Sequence, residues 1–223
     1  MGAIQQVLAS FLSVPALPSG ATARWDASVL SGNDGDLIAT FGDIIGSNNG
    51  TAAGSARGTL KTGANGLNNK NVLRFDGVAN SYTLGSNITG VNTWTIAVVL
   101  KRTGADMCPV GTSNFLPGLI RTSTNISTGD SASYKECANS ATGWGIIVAG
   151  RAAFNSFGTR NGVALTFGSS NVFVTAALFS RLGSRNAVYS NGDFADIIYW
   201  PAALTTQERA DACANLNAKW GVY

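Results

Sequence analysis

The chain has 223 residues, which is enough for one all-β domain with a full hydrophobic core or for two small domains. Charged residues make up only 12% of the sequence, so the polar surface must consist largely of Ser, Thr, Asn and Gly. The net charge of +3 comes from scattered Lys and Arg, and there is no histidine. These features argue against nucleic-acid binding and exclude Ser-His-Asp and Cys-His catalysis.

The first 20 residues predict a helical arm or attachment segment that precedes the main domain. Their apolar residues recur at the spacing of one helix stripe: Ile4, Val7, Leu8, Phe11 and Leu12. Pro15 and Pro18 end this helix. The stripe could pack on its own domain or dock on a partner protein. The apolar run is too short to span a bilayer and lacks the positive start of a secretory signal, so we expect no membrane segment.

From about residue 22 onward the sequence changes to short runs of β-branched and aromatic residues separated by Gly and Asn. Because no helical periodicity intervenes, these runs predict a β-sandwich or jelly roll. The predicted strands are ARWDA, DLIATF, NVLRFDG, WTIAVVLKR, GLIRTS, WGIIVAG, GVALTF, VFVTAALFS, NAVYS and FADIIYW.

Two of these strands also indicate which face is buried. In NVLRFDG, Leu73 and Phe75 point to one face, whereas Val72, Arg74 and Asp76 point to the other. The run WTIAVVL is apolar almost throughout, which is typical of a central strand covered on both faces.

The last 23 residues predict a helix that packs on the sandwich. Pro201 prevents the last strand from continuing. Thr205 and Glu208 match a capping box, so the helix should begin directly after Thr205. Trp220 would fill the end of the packed helix, and Gly221 suits the left-handed position after it.

Several of these stretches together resemble a known superfamily. RWDAS, GNDGD, NVLRFDG, WTIAVVLKR and the closing DIIYWPAALTTQERADACANLNAKWGVY are similar to the laminin-G-like branch of the concanavalin A-like lectin/glucanase superfamily, in the form found in bacteriophage virion proteins. The resemblance covers about residues 23–223 and implies a domain over residues 21–223. It implies an all-β fold, a two-sheet antiparallel jelly-roll sandwich with a C-terminal helix packed on it, and chain ends brought together. Members include sugar-binding modules, glycan-cleaving enzymes and assembly domains, so the resemblance does not decide the activity.

The carboxylates needed for glycoside hydrolysis are not evident. The glycanase branch carries Glu-x-Asp-x-x-Glu on one strand, whereas the two glutamates here are Glu136, in a loop-rich region, and Glu208, in the capping box. We therefore expect that the chain is not an enzyme.

A metal site has one weak candidate. Asn33, Asp34 and Asp36 fall in one turn, GNDGD, whose oxygen atoms could bind calcium. Asx-Gly sequences also form ordinary turns, and no bidentate Glu follows at a matching distance. We expect no other cofactor. Cys108 and Cys137 could form a disulfide, or all three cysteines could be free thiols.

A sugar-binding groove would need an exposed aromatic ring with hydrogen-bonding partners. The candidate rings are Trp144, Trp200 and Tyr134, and the candidate partners are Asn139 and Arg151. Each Trp could equally belong to the core, because sandwich cores take large aromatic side chains.

The preferred sequence-based hypothesis is a non-enzymatic bacteriophage structural protein that decorates a capsid or forms part of a tail or fibre. It would be made in the host cytoplasm, reside on the virion surface and contact the major capsid or tail protein through its N-terminal arm. A homo-oligomer is expected because closed symmetric assemblies are common. The alternative is a carbohydrate-binding module that recognises a host cell-surface glycan.

Overall fold

The structure is a computed structural model that describes residues 13–104, 106–112, 118–122, 124–129, 134–139, 141–168 and 177–223. The predicted N-terminal helix, with Ile4, Val7, Leu8, Phe11 and Leu12, lies outside the described residues. The strands, in chain order, are β1 (Ala23–Asp26), β2 (Leu37–Ile38), β3 (Thr40–Phe41), β4 (Gly50–Thr51), β5 (Gly58–Lys61), β6 (Val72–Asp76), β7 (Tyr82–Val91), β8 (Thr93–Arg102), β9 (Met107–Gly111), β10 (Gly118–Arg121), β11 (Asn125–Gly129), β12 (Tyr134–Ala138), β13 (Gly143–Ala152), β14 (Asn155–Arg160), β15 (Val163–Ala164), β16 (Ala177–Leu182), β17 (Ser184–Arg185), β18 (Val188–Tyr189) and β19 (Asn191–Trp200).

The strands form two antiparallel sheets and one small hairpin. In the first sheet the order is β15–β14–β13–β8–β19–β6–β5–β2, and β1 also pairs with β19. In the second sheet the order is β12–β11–β10–β9–β16–β7–β4–β3. β17 and β18 form the hairpin. The predicted all-β sandwich is therefore confirmed.

One α-helix, α1 (Thr206–Trp220), follows the last strand, and three single 3₁₀ turns lie at Ala27–Val29, Gly54–Ala56 and Gly63–Asn65. The predicted capping box is present: Thr205 Oγ1 accepts from the Glu208 N–H, and the Glu208 carboxylate accepts from the Thr205 N–H. Gly221 ends the helix with φ +59° and ψ +51°, the left-handed conformation that favours glycine. None of the described helices has the length and apolar character needed to cross a membrane.

Two apolar clusters cover the two faces of the first sheet. The inner cluster lies between the sheets, where Trp94 of β8 packs edge-on against Phe179 of β16 with ring centroids 5.2 Å apart. The outer cluster lies under α1 and includes Leu216 and Trp220. The central strand β8 contributes to both clusters, as its continuous apolar run predicts.

The alternation predicted in β6 is also confirmed. Leu73 and Phe75 belong to the inner cluster, whereas Val72 packs in the outer cluster. Strand β7 was not predicted. Its exposed positions carry small polar residues such as Thr83, which weaken the apolar signal of the buried Tyr82 on the other face.

A buried ionic cluster joins the two ends of the domain. Asp196, on β19, accepts hydrogen bonds from Arg24 Nε (3.0 Å), Arg24 Nη2 (2.7 Å) and Trp220 Nε1 (3.1 Å). Lys219 bridges Asp196 and Asp26. Burial alone would raise the pKa of Asp26, but the Lys219 ammonium and the Ser28 hydroxyl and N–H outweigh it and hold that pKa below its ordinary value. The motifs RWD and KWG are therefore parts of one structural contact.

Residues 13–20 of the predicted arm pack on this end of the domain. The Pro15 carbonyl accepts from Asn215 Nδ2 (2.9 Å), and the Pro18 carbonyl accepts from Trp200 Nε1 (3.1 Å). Leu17 packs against the outer cluster. The boundary between an arm and a domain at residue 20 stays a prediction.

Candidate functional site

A concavity of about 270 Å³ lies at one end of the sandwich. It is formed by the turn after β6, the residue before β9, the hairpin β17–β18 and the start of β19. Its lining residues are Gly77, Asp106, Ala187, Val188, Tyr189 and Asn191.

The turn after β6 forms the first wall and is built by the Phe-Asp-Gly motif. The Asp76 carboxylate accepts from the N–H groups of Val78 (2.8 Å) and Ala79 (3.0 Å), so this side chain caps the loop. Burial alone would raise the pKa of Asp76, but these backbone donors outweigh it and lower the pKa. Gly77 has φ +79°, a left-handed conformation, and its N–H donates to the Ser190 carbonyl (2.9 Å), which ties the turn to the segment after the hairpin.

The Asn191 side chain lies between two glycines, in direct contact with the Gly77 turn that forms the first wall. A Cβ at Gly77 would approach Asn191 Nδ2 to 2.7 Å, and a Cβ at Gly104 would approach it more closely still. Only glycines permit this packing. Thr103 Oγ1 donates to Asn191 Oδ1 (2.8 Å), which orients the amide. Among the described residues Asn191 Nδ2 has no hydrogen-bond acceptor, so it remains a donor for a ligand.

Tyr189 and Asp106 complete the polar and aromatic lining, and both are half-buried. The Asp106 carbonyl accepts from the Asn191 N–H (2.9 Å), which fixes the backbone of Asp106 beside Asn191. Within the described ranges, neither the Asp106 carboxylate nor the Tyr189 hydroxyl forms a hydrogen bond or ion pair with the protein. The concavity thus combines an aromatic ring, a carboxylate acceptor and an amide donor, which together can bind a ligand with both C–H faces and hydroxyl groups.

The prediction that Trp200 binds a ligand is wrong. Its side chain is 1% exposed, packs in the outer cluster under α1, and donates from Nε1 to the Pro18 carbonyl. Trp144 is half-buried against the same cluster. Strand alternation accounts for the burial of Trp200, because this position of β19 points to the face that the C-terminal helix covers.

The other predicted binding residues do not line the concavity. Arg151 is 2% exposed, and its Nε donates to the Ala153 carbonyl (2.5 Å), so its burial corrects the prediction of a ligand contact. Asn139 is half-buried, and its Oδ1 is buried without a hydrogen-bond partner among the described residues. The backbone of Tyr134 lies in β12, whereas its side chain is outside the described part of the structure. Roles for Asn139 and Tyr134 in binding stay predictions.

The carboxylates of the GNDGD turn are used within the loops. Asp34 accepts from the Thr62 N–H (2.9 Å) and lies 3.6 Å from Lys61 Nζ, and Asp36 accepts from the Asn33 N–H (2.7 Å). The described residues contain no group of three His, Cys, Asp or Glu placed to hold a metal ion. Calcium binding here stays a prediction without support from this geometry.

The three cysteines are buried free thiols. Burial raises the pKa of Cys108 to about 12, so this thiol stays protonated at neutral pH. Because Cys108 and Cys137 are both free, this fold does not contain the disulfide that the sequence left open.

Sequence reasoning missed Tyr189, Asp106 and Asn191 as site residues. NAVYS was interpreted only as a strand, although its Tyr189 stands two residues before Asn191. Asp106 carries no sequence signal, because its neighbours in the concavity lie about 30 residues before it and 80 after it along the chain.

No protein-family model and no curated protein matches the chain. Among solved structures, Trypanosoma rangeli sialidase in complex with the inhibitor DANA is similar with a TM-score of 0.61 and 13% identity, covering 96% of this chain and 38% of the sialidase. The binding domain of Paraclostridial Mosquitocidal Protein 1 is similar with a TM-score of 0.56 and 13% identity, covering 89% of this chain and 52% of that chain. The chain thus spans less than two fifths of the sialidase and about half of the mosquitocidal protein's binding domain.

These similarities show the fold alone, but they correct one expectation. The prediction that the chain is not an enzyme is contradicted, because its fold is found in a sialidase over nearly the whole length of the chain. The laminin-G-like branch and the bacteriophage form stay predictions, whereas the similarity to a sialidase and to the binding domain of Paraclostridial Mosquitocidal Protein 1 is a finding.

Proposed function

We propose that the chain is a lectin-like domain that binds a glycan in the concavity formed by Gly77, Asp106, Tyr189 and Asn191. The observation that carries the proposal is that Tyr189, Asp106 and Asn191 line one concavity, while the Asp106 carboxylate and Asn191 Nδ2 have no hydrogen-bond partner among the described residues. The similarity to a sialidase that was solved with sialic acid and to a domain described as a binding domain supports the same class of function.

Each group has a defined task in this proposal. The Tyr189 ring packs against the C–H face of a sugar ring, which has little polarity of its own. The Asp106 carboxylate accepts hydrogen bonds from sugar hydroxyls, and charged acceptors form the stronger bonds. Asn191 Nδ2 donates to a hydroxyl or ring oxygen. The volume of about 270 Å³ lies just below that of sites for drug-sized ligands, so the concavity suits one sugar residue.

The test is a glycan array with the whole chain, followed by titration of the glycans that bind. Tyr189→Ala should weaken binding at least about tenfold, because aromatic anchors commonly dominate such contacts. Phe154→Ala is the matched control, since Phe154 is an aromatic residue outside the concavity that is 62% exposed. An array without any bound glycan, or equal affinity of Tyr189→Ala and wild type, would overturn the proposal.

The bacteriophage assignment is not needed for this function. Virion location, contacts with a capsid or tail protein and homo-oligomerisation stay predictions from the sequence. A host surface glycan is the partner that fits the proposed site.

A further inference from the structure

A second concavity has a volume of about 390 Å³. Thr51 of β4 and Thr83 of β7 are directly paired, and both side chains are exposed on the outer face of the second sheet. The lining residues are Thr51, Ala52, Ala53, Ala56, Ser81 and Thr83.

One turn forms a wall of both concavities. Gly77, at the start of this turn, lines the first concavity, and Ser81, at its end, lines the second. Ser81 Oγ lies 2.5 Å from Ser184 Oγ, at the base of the hairpin whose tip also lines the first concavity. The Ser81 N–H donates to the Ala56 carbonyl (2.9 Å), which attaches the same turn to the floor of the second concavity. The two concavities therefore border the same turn, residues 77–81.

The lining of the second concavity suits an uncharged sugar residue. The hydroxyls of Thr51 and Thr83 can each donate and accept hydrogen bonds, whereas the Ser81 hydroxyl already shares one with Ser184. The three alanines provide small apolar contacts. None of the lining residues is charged. Val78, on the turn between the two concavities, is 73% exposed and offers an apolar contact to a ligand that passes from one to the other.

We infer that the two concavities are neighbouring subsites for one oligosaccharide, so the ligand has at least two sugar residues. This inference rests on the proposed function of the first concavity. One residue occupies the concavity at Tyr189, the chain passes Val78, and the next residue lies against the hydroxyls of Thr51 and Thr83. The second residue adds affinity because its binding is intramolecular once the first is held.

The test is calorimetric titration with the mono-, di-, tri- and tetrasaccharides of the neutral malto, cello and N-acetylchito series. At least one series should gain about tenfold or more in affinity beyond the monosaccharide. Ala53→Trp, at an exposed position, fills the second concavity and should remove this gain while leaving monosaccharide affinity unchanged. Thr83→Val keeps a β-branched side chain of nearly the same shape but removes the hydroxyl. It should reduce the gain in oligosaccharide affinity in part.

The outcomes separate the two proposals. Equal affinity across the length series, with Tyr189→Ala still abolishing binding, would overturn the inference and leave the proposed function standing. A length-dependent gain that neither Ala53→Trp nor Thr83→Val alters would also overturn the inference. Absence of binding in all three series, together with an empty glycan array, would overturn both.

Discussion

Removing the charge of Asp196 tests how the two ends of the domain are held together. The side chain is 0% exposed and accepts from Arg24 Nε, Arg24 Nη2, Lys219 Nζ (3.3 Å) and Trp220 Nε1. Asp196→Asn keeps the shape but places a neutral amide, with its own N–H donors, against these donors. Arg24 Nη2 and Trp220 Nε1 then lose the oxygen that they share, whereas Lys219 retains Asp26 and Arg24 keeps the Asp26 carboxylate at 3.8 Å.

The expected cost follows from the burial of the cluster. Breaking a buried ion pair by removing one partner costs about 3–5 kcal/mol, because the other charge is left uncompensated. Domains are stable by only about 5–15 kcal/mol, so the free energy of unfolding should fall by a large fraction. The free energy of unfolding falls by about 1–3 kcal/mol per molar urea, so the urea concentration at the unfolding midpoint should fall by about 1 M or more.

The assay is urea unfolding followed by tryptophan fluorescence. Asp36→Asn is the control, since Asp36 is an exposed acidic residue that accepts one loop N–H, and its replacement should cost less than about 1 kcal/mol. The reasoning is refuted if Asp196→Asn costs no more than this control.

Three further predictions concern stability. The pKa values of Asp26 and Asp76 are lowered in the fold, so the stability that these carboxylates contribute is present above their unfolded-state pKa and is lost in acid. The urea unfolding midpoint should therefore fall as the pH is lowered from about 4 towards 2. A midpoint that stays constant over this range would contradict the prediction. Thr205→Ala removes the acceptor for the Glu208 N–H and should cost about 1 kcal/mol in thermal unfolding, with no loss if the cap is irrelevant. Trp200→Ala should cost about 3–5 kcal/mol in urea unfolding yet leave glycan affinity of the folded protein unchanged; selective loss of affinity would restore Trp200 as a binding residue.

Much of the fold could be predicted because its signals are local. The capping box at Thr205 and Glu208 and the continuous apolar run of β8 each describe a short stretch whose conformation depends on neighbouring residues. Strand β7 was missed because one face is solvated, so residues such as Thr83 interrupt its apolar pattern.

The candidate site could not be predicted in the same way. Gly77, Asp106 and Tyr189 meet only because the ends of strands distant in sequence lie side by side in the sandwich. Trp200 was misinterpreted for a related reason: the strand was recognised, but its outer face could not be assigned until the position of α1 was known. Burial on a sheet is decided by what packs on each face, and that information is not local.

The most direct test of the proposed binding site is an amide NMR titration of the isotope-labelled chain with the neutral oligosaccharides used above. The account predicts that the largest chemical-shift changes occur at Gly77, Asp106 and Asn191, with contacts from sugar protons to the Tyr189 ring. Changes centred on Trp144, with the amides of the concavity unaffected, would contradict the account and return the site to the surface first suggested by the sequence.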